Sequence, residues 1–288
     1  MPRLGEGRAG YASSAMTADP ALATGWEPDA PVDDTVVRQS LLNFAAMNEH
    51  IVAALGGRVR RHTHVSMTDA GSGCAFLNAA MLLQPLLPGD DTALDAIEEF
   101  YANTTDGAVT VWSAWPTPDL RSLGWQLEGH PPLMMRPAGG AMPEPPADLH
   151  IDEVADAGAL DCFAQVLVDG FPIPELQPFR AGSLLDERVL APGLRFWVGA
   201  ADDRAVASAA AYVASGVVGV NFVATLPHER RRGYGEAVTW QATMAEPALT
   251  AVLLASDSGR PVYARMGYLP VTRFSLWVRP SRRPSERE

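Results

Sequence analysis

Residues 225–238 read TLPHERRRGYGEAV, and the fold turns on what this stretch is. It follows the apolar run VVGVNFVATL, which has the composition of a strand ending at Leu226. After it, residues from Gly233 to about 246 have the pattern of a helix. A helix start leaves its first N–H groups without intrahelical partners, and its dipole favours an anion there. Gly233 and Gly235 lack a Cβ, so an anion can approach the backbone closely. Arg230, Arg231 and Arg232 add charge that can pair with phosphate oxygens. The turn therefore reads as a diphosphate cradle built mainly from backbone, with Tyr234 and Glu236 in the first helical turn. It lacks the lysine and Ser/Thr of a P-loop, and its glycine spacing is not that of a dinucleotide fingerprint. The plain alternative is a solvated basic turn ahead of an amphipathic helix.

The rest of the chain bounds this reading. Its 288 residues, 47% hydrophobic and 19% charged, suit two domains with substantial cores. The net charge of -12 argues against nucleic-acid binding. No apolar run reaches the length of a membrane span, and the N-terminus lacks a signal-peptide core, so a cytoplasmic location is expected. Cys74 and Cys162 are expected to be two buried free thiols.

Residues 1–30 and 281–288 are expected to be tails, the first of them disordered. A helix is expected over about 35–55, a second one from Asp90, strands at 107–115 and 130–137, and a Gly/Pro-rich linker at 138–147. The pattern then starts again, with a strand at 149–154, a helix at 156–171 and three strands at hairpin spacing before the arginine turn. YLPVTRFSLWVRP reads as one last strand, and HTH at 62–64 as part of a solvent-facing strand. A shift of 143 residues lays AVTVWSAWPTPDLRSLGW over AVLLASDSGRPVYARMGY and LMMRP over LWVRP. Two copies of one α+β fold are inferred, over 31–137 and 148–280, each a mixed, mostly antiparallel sheet flanked by helices. Beneath the arginine turn the first copy carries LLPGDD, whose acids would repel a phosphate.

TLPHERRRGYGEAV resembles the acetyl-CoA-binding motif of the GCN5-related N-acetyltransferases, Arg/Gln-x-x-Gly-x-Gly/Ala, with Arg230, Gly233 and Gly235 at its fixed positions. ASDSGRPVYARMGY resembles the second motif of that family. There Ser256 stands for the usual asparagine, Gly259 for the alanine, Tyr263 for the tyrosine, and Gly267–Tyr268 for the Gly-Phe pair. The resemblance spans about 148–280, and the repeat extends it in degenerate form to the first half.

The resemblance implies direct transfer of an acetyl group from acetyl-CoA, as acyl-donor cosubstrate, to an amine of a small molecule or protein. It implies that the backbone of Phe222, Val223 and Ala224 holds the thioester arm, that Ser256 contacts that arm, and that Tyr263 protonates the departing thiolate. The first copy has Leu120 where the second has Tyr263, so a single active centre is expected, with the first copy as a scaffold that completes the acceptor pocket or an interface. No general base is visible. Asp152, Glu153, Asp169 and Glu175 lie in the segments where the family builds its acceptor pocket, His228 and Glu229 read as surface charges, and most tryptophans read as core. Neither a metal, a membrane nor a nucleic acid is expected as partner, and a homodimer is left open. A non-catalytic acyl-CoA sensor or an interaction scaffold is the rival reading; it would keep the cradle and have no need of Tyr263.

Overall fold

The computed structural model describes residues 35–102, 107–171 and 173–280; the expected tails lie outside them. Thr35 starts the first helix, α1 (Val36–Ala54), by accepting a hydrogen bond from the Arg38 N–H at 3.2 Å. The first half continues with β1 (Arg58–Arg61), β2 (Val65–Asp69), β3 (Ala79–Leu82), α2 (Thr92–Tyr101), β4 (Val109–Ser113), β5 (Gln126–Gly129) and β6 (Pro132–Arg136). The second holds β7 (His150–Glu153), α3 (Ala157–Gly170), β8 (Leu194–Ala201), β9 (Arg204–Ala214), β10 (Val217–Thr225), α4 (Tyr234–Thr243), β11 (Thr250–Leu254), α5 (Arg260–Arg265), β12 (Leu269–Arg273) and β13 (Ser275–Arg279).

These strands form a six-stranded sheet, ordered β1-β2-β3-β4-β13-β5, and a seven-stranded sheet, ordered β12-β6-β11-β10-β9-β8-β7. Each half has therefore given its last strand to the other. β6 lies antiparallel between β11 and β12, and β13 antiparallel between β4 and β5. The expected boundary at 137 is corrected accordingly, because β6 belongs to the second sheet. The expected final strand is likewise two strands, which separate at the buried Phe274 and enter different sheets. The 138–147 segment is tied down: the Gly139 N–H bonds the Pro247 carbonyl at 2.8 Å, and Arg136 bonds the Gly139 carbonyl at 2.7 Å.

The 143-residue spacing survives in the register. Gln126 faces Val278, Leu127 faces Trp277 and Gly129 faces Leu276 in the first sheet. In the second, Leu269 faces Met135, Pro270 faces Met134 and Thr272 faces Leu133, with the irregularity at the same place.

The halves also pack through α1. The Asn43 amide, fully buried on α1, donates to the carbonyls of Tyr212 at 2.9 Å and Ala214 at 3.1 Å in the β9–β10 hairpin. A Cβ at Gly219 would lie 2.0 Å from Asn43 Oδ1, so this docking requires glycine there. His62 and His64 fall in the β1–β2 turn rather than on a strand. Cys74 is buried, whereas Cys162 is exposed, which corrects half of the thiol expectation.

Candidate functional site

β10 and β11 run parallel and are paired only from Val217–Thr250 to Gly219–Val252. Beyond that point their ladder ends. In the first half the matching strands stay paired through Ala79–Thr110, Ala80–Val111 and Met81–Trp112. The second sheet is thus open at the place where the first is closed. On its other side β10 loses register with β9 between Asn221 and Ala224, leaving Phe222 and Val223 without ladder partners. Phe222 has a positive φ of 53°, a strained value for a bulky residue. Its carbonyl accepts the Ser208 hydroxyl at 3.2 Å, and its ring meets Phe163 edge-on.

Past Ala224 the chain turns at 227–229 and enters α4. Gly233 takes the left-handed conformation, φ 84°, which a side chain would strain. The first helical bond runs from the Ala237 N–H to the Gly233 carbonyl at 3.0 Å, so the amides ahead of Ala237 lack intrahelical partners. Gly235 has a packing reason: a Cβ there would lie 2.7 Å from Thr225 Oγ1 on β10.

The three arginines have different tasks. Arg230 reaches back to the Gly170 carbonyl at 2.7 Å and the Thr225 carbonyl at 3.2 Å, fastening the turn to the end of α3. Arg232 pairs with Glu229 at 2.8 Å and Asp148 at 2.9 Å, and its guanidinium stacks over Tyr234. Arg231, exposed and with φ 66°, has no ion-pair partner among the described residues. Glu229 is 5% exposed, so the reading of it as a solvated charge is wrong; it anchors Arg232 and lies 3.7 Å from Arg204. Tyr234 is buried, and its hydroxyl donates to Asp148. That bond, with the Arg232 pair behind it, holds the Asp148 carboxyl below the usual range. Glu236 pairs with Arg265 at 3.2 Å.

In the first half the same position is filled from within. Asp90 accepts from the Thr92 N–H at 3.1 Å and the Thr92 hydroxyl at 2.5 Å, and these bonds lower its pKa. A carboxylate of the chain itself thus sits at the start of α2 where α4 leaves its amides open.

Ser256 stands at the end of β11, in the turn that leads into α5. Its hydroxyl accepts the Gly259 N–H at 3.2 Å and its carbonyl the Arg260 N–H at 2.9 Å. Tyr263 is 8% exposed, packs 6.0 Å from the Tyr268 ring, and is pushed up to about 12 by burial. A Cβ at Gly259 would lie 2.8 Å from the Tyr263 ring. Glycine at this position, where the resembled motif has alanine, lets the ring lie against the backbone.

Tyr263, Ser256 and residues 220–223 of β10 share one cavity of about 210 Å³. Leu253 and Leu254 of β11, Leu167 of α3, and Phe171, Ile173, Leu184 and Leu185 line it from the second half. The first half supplies Phe44, Met47 and Asn48 of α1, Cys74, Phe76 and Leu77 of the β2–β3 loop, Met81 of β3 and Trp112 of β4. Asp152, Glu153, Asp169 and Glu175 do not line it; Asp152 lies 3.0 Å from His150 and Glu153 pairs with Arg195 at 2.6 Å. Burial pushes the Cys74 thiol up to about 11. Sequence reasoning expected the first half to complete a pocket or an interface but named none of these residues, because side chains such as Phe76 and Trp112 look like ordinary core in one dimension. Among the described residues there is no group of three His, Cys, Asp or Glu side chains able to hold a metal, and no helix long and apolar enough to cross a membrane.

This architecture recurs in solved structures. A GCN5-related N-acetyltransferase from Kribbella flavida superposes with a TM-score of 0.60 at 23% identity, covering 84% of this chain and 97% of the other. A protein of the GNAT family from Novosphingobium aromaticivorans gives 0.53 at 16% identity over 84% and 99%. A functionally unknown conserved protein from Staphylococcus epidermidis gives 0.54 at 14% over 79% and 96%. Neither half alone reaches such coverage, so the likeness takes in both. The chain thus has the fold of the GCN5-related N-acetyltransferases, with two mixed sheets flanked by helices. No protein-family model matches the sequence, and no curated protein matches it.

Proposed function

We propose that the chain transfers an acetyl group from acetyl-CoA to an amine, with one active centre in the second half. One coincidence carries the reading: the unpaired Phe222–Val223 backbone and the Tyr263 phenol line one cavity where β10 and β11 part, and β10 leads on from there to the open amides at the start of α4. The fit with the coenzyme rests on that geometry. Residues 231–236 offer N–H donors and Arg231 a free cation for a diphosphate, while Arg230 and Arg232 hold the turn in shape. Residues 222–224 offer backbone groups to the pantetheine arm. Ser256 sits at the arm's far side, although its hydroxyl is already occupied in starting α5. Tyr234 and Glu236 contribute through their backbone amides, since the side chain of one is buried on Asp148 and that of the other is paired with Arg265.

The coenzyme supplies an activated acyl group. Tyr263 holds a proton beside the place where the thiolate leaves. A phenol near 12 is a weak acid toward a thiolate of ordinary pKa, roughly 8.5, so outright transfer is uphill. Donating a hydrogen bond as charge builds, or giving one proton while receiving another, suits its burial better. Asp90 excludes a second such site from the first half, whose role is to wall the cavity.

The test is a screen of amines for thiol release from acetyl-CoA, with Gly233→Glu as the dead control and Tyr263→Phe beside it. Release that depends on an amine and falls in both variants supports the enzyme. Coenzyme-induced stabilisation without any amine-dependent release would favour the sensor.

A further inference from the structure

The cavity wall is uncharged. Among the described residues that line it, not one is Asp, Glu, Lys, Arg or His. An ammonium, a polyamine or an amino acid taken from water into such a wall would lose hydration with no charge to replace it. A protonated amine would also need a base, and the wall offers only Tyr263 and Cys74, both of which burial disfavours as anions. An apolar cavity of about 150 Å³ accepts benzene, so about 210 Å³, shared along its Phe222–Val223 and Ser256 edge with the thioester arm, has room for one small ring. Phe76 of the first half and Phe171 of the second meet edge-on at 5.6 Å, a geometry suited to adding a further aromatic ring.

We propose that the acceptor is a weakly basic aromatic amine: a nitrogen neutral at pH 7 on an uncharged apolar body that fills the cavity between the halves. This rests on the acyl-transfer reading. The proton balance closes without a base. The nitrogen lone pair forms the C–N bond, the C–S bond breaks, and the proton lost by nitrogen ends on sulfur. Tyr263 gives its proton to sulfur as it takes the one from nitrogen. The net products are the anilide and the free thiol, and no proton is exchanged with solvent.

Calorimetry on the full chain with saturating coenzyme A tests this, using aniline, tyramine and spermidine as probes. It is paired with thiol release from acetyl-CoA and from octanoyl-CoA between about pH 6 and about pH 9. The aniline should bind and be acetylated at a rate flat with pH, while spermidine neither binds nor reacts. Phe76→Ala should weaken aniline binding about tenfold and leave the melting shift produced by coenzyme A unchanged. The wild-type panel decides the question even where that variant folds poorly. Coenzyme A binding with an inert aniline overturns the proposal, as does turnover confined to cationic amines. A preference for octanoyl over acetyl whatever the acceptor gives the cavity to the acyl chain, which also overturns it. Absence of any coenzyme A melting shift removes the acyl-transfer reading instead, and is told apart by aniline binding that persists.

Discussion

Gly235→Ala is the sharpest perturbation of the α4 turn. The resembled motif admits either glycine or alanine here, so alanine would pass a sequence comparison. The structure forbids it for a local reason: the new Cβ would lie 2.7 Å from Thr225 Oγ1, about 1 Å inside ordinary van der Waals separation. Thr225 is β-branched and stiff at χ1, and its carbonyl is engaged by Arg230 at 3.2 Å, so the helix start rather than the strand must yield. Such overpacking costs about 1–3 kcal/mol. Against it, alanine gains about 1 kcal/mol over glycine inside a helix. The single variant should therefore be destabilised by roughly 0–2 kcal/mol, and coenzyme A affinity should fall about tenfold as the amides move. In a Thr225→Ala background the obstructing oxygen is gone and only the helix gain remains. There Gly235→Ala should stabilise by up to about 1 kcal/mol and leave affinity unchanged. Urea denaturation and calorimetry on the four proteins measure both quantities. Effects that add within about 0.5 kcal/mol, or an affinity loss that persists in the double variant, would refute the reasoning.

Other outcomes follow from the same geometry. Tyr263→Phe should lower turnover at least tenfold and leave the urea midpoint nearly unchanged, because the phenol makes no hydrogen bond among the described residues. Burial raises Tyr101, Tyr263 and Tyr268, so the folded chain keeps protons that the unfolded chain, with tyrosines near 10, has released. Stability should be level up to about pH 10 and fall as pH rises through about 12; circular dichroism should show Tyr263→Phe losing less over that window. Residues 148–280 produced alone lack β6, whose Leu133 and Met134 are fully buried in the second sheet, each contributing about 1.5–3 kcal/mol. That fragment should be unfolded or aggregated by size exclusion, and residues 1–147 alone, which lack β13, should not complete the first sheet. Asn43→Ala should cost about 1–3 kcal/mol by leaving the Tyr212 and Ala214 carbonyls unpaired, read as a lower urea midpoint.

The arginine turn was legible because a helix start after a strand has one geometry whatever its neighbours, and the glycines and bulky apolar residues mark both. The repeat was legible because β5 and β12, and β6 and β13, keep the same register. The strand exchange was not. LMMRP and LWVRP are interchangeable as apolar strands, and which sheet each enters is set by long-range packing around Phe274 and Arg136. The tasks of the arginines were hidden for a similar reason. Three adjacent identical residues carry no sign that Arg230 and Arg232 are already bound to Gly170, Glu229 and Asp148, leaving Arg231. The residues that line the cavity were not legible, because they come from both halves and share a lack of charge rather than a motif. Acids that lie nearby in sequence, Asp152 and Glu153 among them, face other partners.

Hydrogen exchange, measured on the full chain with and without coenzyme A, tests the central claim most directly. New protection is expected in two places, the amides of residues 231–236 and those of 222–224, with the start of α2 at 92–95 unchanged. Protection that appears at α2 or elsewhere while the α4 turn exchanges as before would contradict it.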